Sequence, residues 1–135
     1  MNNLPPNPNN TSAFDTHHPP SNDLIDKCVH CGFCLPVCPT YVLWGQEMDS
    51  PRGRIYLMKL AADGAVEMNS NWVSHFDTCL GCMACMPACP SGVDYGKLIE
   101  ATRAQIERNT PRSSAEKFHR RFILENFTRT VAALT

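Results

Sequence analysis

At 135 residues the chain suits one modest domain, with hydrophobic residues at 43% to build a core. A formal net charge of −1 argues against general attraction to nucleic acid or anionic membrane. No apolar run approaches the ~20 residues of a membrane span, and the N-terminus lacks the basic start and apolar core of an export signal.

Residues 1–22, MNNLPPNPNNTSAFDTHHPPSN, are rich in Pro and Asn without periodicity, and are predicted to be a disordered tail in which His17 and His18 are solvated. Order is predicted to begin near Asp23, capping a short turn over 23–27. The run CVHCGFCLPVCP then places Cys28, Cys31, Cys34 and Cys38 ahead of Pro39, and forty residues separate Cys38 from Cys79. In that spacer Ser50-Pro51 supplies an N-cap and first-turn proline for a helix that runs through RIYLMKLAADG and stops at Gly64. A short helix is predicted over 71–76, with Trp72 and Phe76 one turn apart as core residues or as shields for whatever the cysteines hold.

The second cysteine run, CLGCMACMPACP, carries Cys79, Cys82, Cys85 and Cys89 ahead of Pro90. A helix over about 95–108 then sets Leu98, Ile99, Ala101 and Ile106 against Glu100, Arg103, Glu107 and Arg108, and Asn109-Thr110-Pro111 breaks it. Ser113-Ser114-Ala115-Glu116 reads as a capping box opening a last helix. Its apolar stripe is Phe118, Phe122, Ile123, Phe127 and Val131, opposite Lys117, Arg120 and Arg121. The stripe is expected to pack on protein, in this domain or a further one, with a membrane surface as the alternative. The expected organisation is thus a tail (1–22), a helical cysteine domain (23–110) and an amphipathic C-terminal helix (111–135) able to lead into a further domain.

All eight cysteines fall into two copies of C-x2-C-x2-C-x3-C-P, the spacing that binds iron–sulfur cubanes in bacterial two-cluster ferredoxins. A [4Fe–4S] cube needs one soft thiolate at each of four iron corners. Structural zinc prefers two cysteine pairs per site, and disulfides need an oxidising compartment. The cofactors expected are therefore two [4Fe–4S] clusters, in a reducing cytoplasm. In two-cluster ferredoxins the fourth cysteine of the pattern ligates the other cluster. Carried over, one cluster takes Cys28, Cys31, Cys34 and Cys89, and the other Cys79, Cys82, Cys85 and Cys38.

Pro39 and Pro90 are predicted to turn the chain away after the fourth ligand, and Gly32, Gly81 and Ala84 to let backbone amides approach the sulfides. Arg52 and Arg54 read as exposed charges near a helix start, paired with Asp49 or Glu47. A sharper alternative has one guanidinium offset cluster charge or anchor a partner. His30 reads as a surface or supporting residue, since four thiolates are available per cluster. No nucleotide-binding glycine fingerprint and no motif-placed catalytic set appears, so the chain itself is not expected to act on an organic substrate.

The stretches CVHCGFCLPVCPTYVLWGQEMDSPRGRIYLMK and HFDTCLGCMACMPACPSGVDYGKLIE resemble the N-terminal part of the glycolate oxidase (glycolate dehydrogenase) iron–sulfur subunit family. The resemblance covers about 23–106, and CPTY…DSPRGRIYLMK is its most distinctive element. It implies a mainly α, helical ferredoxin-like domain that carries electrons for FAD-containing flavoprotein subunits. Those subunits oxidise glycolate to glyoxylate, and the electrons go on singly to a membrane quinone or another carrier, with the complex at the inner face of the membrane. Related subunits serve lactate, glycerol 3-phosphate and heterodisulfide enzymes; a free-standing two-cluster carrier and a purely structural cluster protein are the alternatives. Full family subunits continue into further cysteine-rich repeats, whereas no cysteine follows Cys89 here.

Overall fold

The structure, a computed structural model, describes residues 12–133, and among these every regular element is helical. Helix α1 (Asn22–Asp26) starts from Ser21, with Asp23 in its first turn, where a carboxylate faces the positive helix end; Asp23 is thus not the cap. Helix α2 (Pro39–Trp44) opens on Pro39 with Cys38 as an extended N-cap. Pro39 therefore starts a helix, correcting the expectation that it only diverts the chain. Its missing N–H costs nothing in the first turn, and it holds Cys38 out of the helical region. Gly45, at φ 63°, closes α2 in the left-handed conformation.

A 3-10 turn (Glu47–Asp49) leads into α3 (Pro51–Ala62), where the buried Ser50 hydroxyl accepts from the Gly53 amide at 3.0 Å. A Cβ on Gly53 would sit 2.0 Å from the Glu47 carbonyl oxygen, whereas one on Gly45 meets nothing within 4 Å. Gly53→Ala is therefore expected to lower the denaturant midpoint of the cluster-loaded protein by the ~1–3 kcal/mol typical of overpacking, or more. Gly45→Ala should cost only the ~1–2 kcal/mol of left-handed strain. Equal midpoints for the two variants would count against this packing.

Helices α4 (Ser70–Asp77) and α5 (Tyr95–Asn109) are capped by the Asn69 and Asp94 side chains. Helix α3 is central and touches α1, α4, α5 and the 3-10 turn. Met58, Ala61, Phe76 and Leu98 are wholly enclosed at its contacts. Trp72 and Phe76 are both core residues, with ring centroids 4.1 Å apart. The expected N-terminal tail is corrected over residues 12–21. Phe14 is only 7% exposed and meets Trp72 edge-on at 6.1 Å. The Ala13 amide donates to the Ala61 carbonyl at 2.9 Å. Asp15 accepts from Gln105, Arg108 and Asn109, and these donors, Arg108 first, hold its carboxyl well below the usual range. One aromatic anchor and one ion pair thus pin a segment whose Pro and Asn content hides them. His17 and His18 are exposed, and residues 1–11 lie outside the described residues.

Helix α6 (Ser114–Ala133) begins at the Ser113 hydroxyl, which accepts from the Glu116 amide at 3.2 Å. Its root is tied to α4 and α5 by Arg112, which donates twice to Asp77 at 2.9 Å and once to Glu107 at 2.8 Å. The apolar stripe does not pack on this domain: Phe118 is 72% and Phe127 67% exposed, with Phe122 and Ile123 also open. The side chain of Val131 lies outside those described. No helix among the described residues is long and apolar enough to cross a membrane.

Candidate metal centre

The two cysteine runs fold as two copies of one loop. His30 (φ 53°) and Gly32 (φ 87°) in the first match Gly81 (φ 65°) and Met83 (φ 57°) in the second. The turns repeat as well. Leu35 and Cys38 amides donate to Gly32 and Leu35 carbonyls, and Met86 and Cys89 amides donate to Met83 and Met86 carbonyls, all at 2.9–3.2 Å. Left-handed residues at two steps curl the backbone into the concave form that gathers N–H groups on one side. His30 and Met83 hold this conformation against the strain it costs a residue with a side chain, which is typical of a functional loop. At Gly32 space matters too, because an added Cβ would lie 2.8 Å from an Arg52 guanidinium nitrogen.

The loops line two adjoining cavities. Cys28, Cys31, Cys34, Cys85 and Cys89 border the first. Cys38, Cys79, Cys82 and Cys85 border the second. The first cavity thus gathers three cysteines of the first run and two of the second, the second cavity three of the second run and one of the first, and Pro51, Cys85 and Tyr95 form a wall shared by both. Among the described residues no three Cys, His, Asp or Glu side chains converge on a point as a single ion requires. Tetrahedral zinc would draw its sulfurs to ~3.8 Å of one another, given Zn–S bonds of ~2.3 Å. Thiols spread around a cavity instead fit a cubane, which presents four separate iron corners.

Burial pushes the Cys28 and Cys34 thiols up, and that of Cys85 to about 12. Burial also opposes ionisation of Cys38, but the Thr40 hydroxyl, the Tyr41 amide and Arg54 outweigh it and hold this thiol below its ordinary value. Iron must therefore displace protons from the buried thiols as it binds.

Arg52 and Arg54 divide between the cavities. Arg52 borders the first, donates to the His30 carbonyl at 3.0 Å, and pairs with Glu47 at 2.6 Å. Arg54 borders the second and is 1% exposed, which corrects the expectation of a surface charge. It donates to the His75 carbonyl at 2.6 Å, the Thr78 hydroxyl at 3.1 Å and the Thr40 hydroxyl at 3.2 Å. The Asp49 carboxylate lies 3.6 Å away and also meets His75 and Thr78. Arg103 ties α5 to the second loop through the Phe76 and Cys79 carbonyls. His30 is exposed and lies beside Tyr56, in a supporting position.

Residues that sequence reasoning passed over complete the second cavity. The Thr40 hydroxyl lies 3.2 Å from the Cys38 sulfur, and the Tyr95 hydroxyl 3.6 Å from that of Cys79. Thr40 follows its cysteine by two positions in CPTY, a local cue. Tyr95 is sixteen residues from Cys79 and has no local cue.

Comparison with known proteins sets the chain beside iron–sulfur proteins. A 4Fe-4S dicluster domain family model matches residues 24–93. The chain is 47% identical to a probable glycolate oxidase iron-sulfur subunit of Bacillus subtilis, over 80% of this chain and 26% of that protein. It is 43% identical to the glycolate oxidase iron-sulfur subunit of Escherichia coli, over 74% of this chain and 24% of that protein. It is also 29% identical to a dihydromethanophenazine:CoB–CoM heterodisulfide reductase component of Methanosarcina mazei, over 71% of this chain and 28% of that protein. The chain thus spans about a quarter of the length of these relatives. No solved structure matches it significantly. With its matched segment covering both cysteine loops, the chain belongs to the 4Fe-4S dicluster domain family.

Proposed function

We propose that this chain is the two-cluster electron-transfer part of a flavin-linked complex that oxidises glycolate to glyoxylate. The observation that carries the reading is the 43–47% identity to glycolate oxidase iron-sulfur subunits, running through both cysteine loops. The gathering of eight thiols around two adjoining cavities supplies the matching chemistry. Cys28, Cys31, Cys34 and Cys89 hold one cluster, and Cys38, Cys79, Cys82 and Cys85 the other. Bound there, each [4Fe–4S] cube supplies one-electron redox chemistry.

The chain's own residues set the conditions for that chemistry. The cysteine thiolates would hold the two cubes in cavities that share Pro51, Cys85 and Tyr95 as a common wall. Arg52 and Arg54 place one guanidinium beside each site and offset the negative charge of four thiolates. Oxidation of the hydroxy acid releases two electrons and two protons, and falls to FAD in partner flavoprotein subunits. The chain takes electrons one at a time and passes them toward a quinone or another acceptor.

The test has two arms. Protein assembled anaerobically is expected to carry about eight irons per chain; zinc in place of iron would end the cluster reading. A tagged chain recovered from its host should bring down a flavoprotein and reduce an artificial acceptor with glycolate. Reduction with lactate but not glycolate would reassign the substrate.

A further inference from the structure

The two cavities differ in what faces their sulfurs. The second receives two hydroxyls, Thr40 on Cys38 and Tyr95 on Cys79, at 3.2 and 3.6 Å. The described residues place no side-chain hydroxyl within hydrogen-bonding distance of Cys28, Cys31, Cys34 or Cys89. Both hydroxyls are held in place. Thr40 is 3% exposed, and its hydroxyl accepts from Arg54 at 3.2 Å and donates to the Asp49 carbonyl at 2.7 Å. Tyr95 is 4% exposed in the shared wall.

We propose that Thr40 and Tyr95 are positioning residues whose hydroxyls donate to the Cys38 and Cys79 sulfurs, making the second-cavity cluster the easier of the two to reduce, so that electrons settle there. The inference rests on reading the cavities as cluster sites. As a free thiol, Cys38 can itself donate to the Asp49 carbonyl, 3.7 Å away. As an iron-bound thiolate it only accepts. Thr40 has a single proton, given to the Asp49 carbonyl beside the free thiol; beside an iron-bound thiolate the charged sulfur is the stronger draw and the hydroxyl turns to it. Arg54, donating to the same hydroxyl oxygen, polarises the O–H bond toward the sulfur. The Tyr95 hydroxyl reaches the Cys79 sulfur at 3.6 Å, a longer contact without the Arg54 donor. A hydrogen bond to a ligand sulfur stabilises the extra negative charge of the reduced cube more than that of the oxidised one, and so raises the potential. Burial of Cys38 and Cys85 acts the other way, because low dielectric disfavours added charge. The two hydroxyls and Arg54 answer that penalty at this cavity.

The geometry makes a sharp demand, because the two hydroxyls belong to opposite cysteine runs yet act on one cavity. Potentiometric titration of the loaded full chain, followed by electron paramagnetic resonance, resolves its two reduction steps. Thr40→Val and Tyr95→Phe are each expected to move the same step, the more positive one, to lower potential, leaving the other step in place. A hydrogen bond to a charged acceptor is worth about a tenfold change in that equilibrium, ~59 mV for a one-electron couple. Thr40→Ser keeps the hydroxyl and should keep the wild-type potential, which a purely packing role for Thr40 does not require. Shifts in two different steps, shifts in the more negative step, or no shift at about eight irons per chain would each overturn the proposal. If one variant fails to load iron, the other decides by the same criteria. Wild-type protein without about eight irons would instead sink the cluster reading beneath it.

Discussion

Cys28→Ser and Cys89→Ser are expected to leave the same single cluster behind, and Cys38→Ser and Cys79→Ser the other one. The expectation follows from the cavities, in which Cys89 joins Cys28, Cys31 and Cys34 while Cys38 joins Cys79, Cys82 and Cys85. Serine oxygen is a poor match for iron that prefers thiolate, so each variant should fall from about eight irons toward about four. The residual spectra are the decisive readout. If each run instead held its own cube, Cys28→Ser would pair with Cys38→Ser. Loss of a cube should also cost stability, because under the proposed ligation each one would tie together segments flanking the forty-residue spacer. A covalent cross-link closing a loop of that length contributes about 4 kcal/mol in the chain-entropy model. Two cubes brace the same pair of loops, so the first loss should cost less than this and the second more. Denaturant midpoints of the four variants, compared with the iron-free protein, measure both.

The cysteine pattern was legible because its chemistry is local: four ligands within eleven residues, repeated with the same trailing proline. Helices α3 and α6 were legible through their punctuation, Ser50 ahead of Pro51, Gly64 after α3, and Ser113 with Glu116, α5 through its two faces and the Asn109-Thr110-Pro111 break, and α4 through the one-turn spacing of Trp72 and Phe76. Helix α2 was not. Six residues are too few to show a period, and its N-cap is a cysteine read as a ligand. Phe14 was hidden because one aromatic among prolines and asparagines gives no pattern, although it finds Trp72 in the fold. The α6 stripe was visible as a stripe, but periodicity does not say what an apolar face will meet, and among the described residues its side chains stay exposed. Arg54 departs furthest from its sequence reading as an exposed charge. Burying a guanidinium takes partners in several directions, and here they come from positions 40, 49, 75 and 78, which only the folded chain assembles.

Arg54→Ala is accordingly expected to be among the most damaging substitutions outside the cysteines. The side chain is 1% exposed and satisfies the His75 carbonyl and two hydroxyls while facing the Asp49 carboxylate. Its removal leaves Asp49, itself only 8% exposed, without its permanent cation. Breaking a buried pair from one side typically costs about 3–5 kcal/mol, a large share of the ~5–15 kcal/mol that holds a domain folded. Arg54→Lys should recover little, because one ammonium cannot reproduce a planar fork aimed at several acceptors. Arg52 is the internal control. Its bond to Glu47 is partly exposed at 27% and 41%, so Arg52→Ala should cost no more than about 1 kcal/mol. Anaerobic urea titration of the three loaded variants separates the cases, and near-equal midpoints for Arg52→Ala and Arg54→Ala would refute the buried network. The loss should also be directional. Arg54 supports Thr40 beside Cys38 and Thr78 beside Cys79, and both cysteines border the second cavity. In Arg54→Ala the second-cavity cluster should therefore be the first to give up its iron to a chelator, with the Cys28, Cys31, Cys34 and Cys89 site outlasting it.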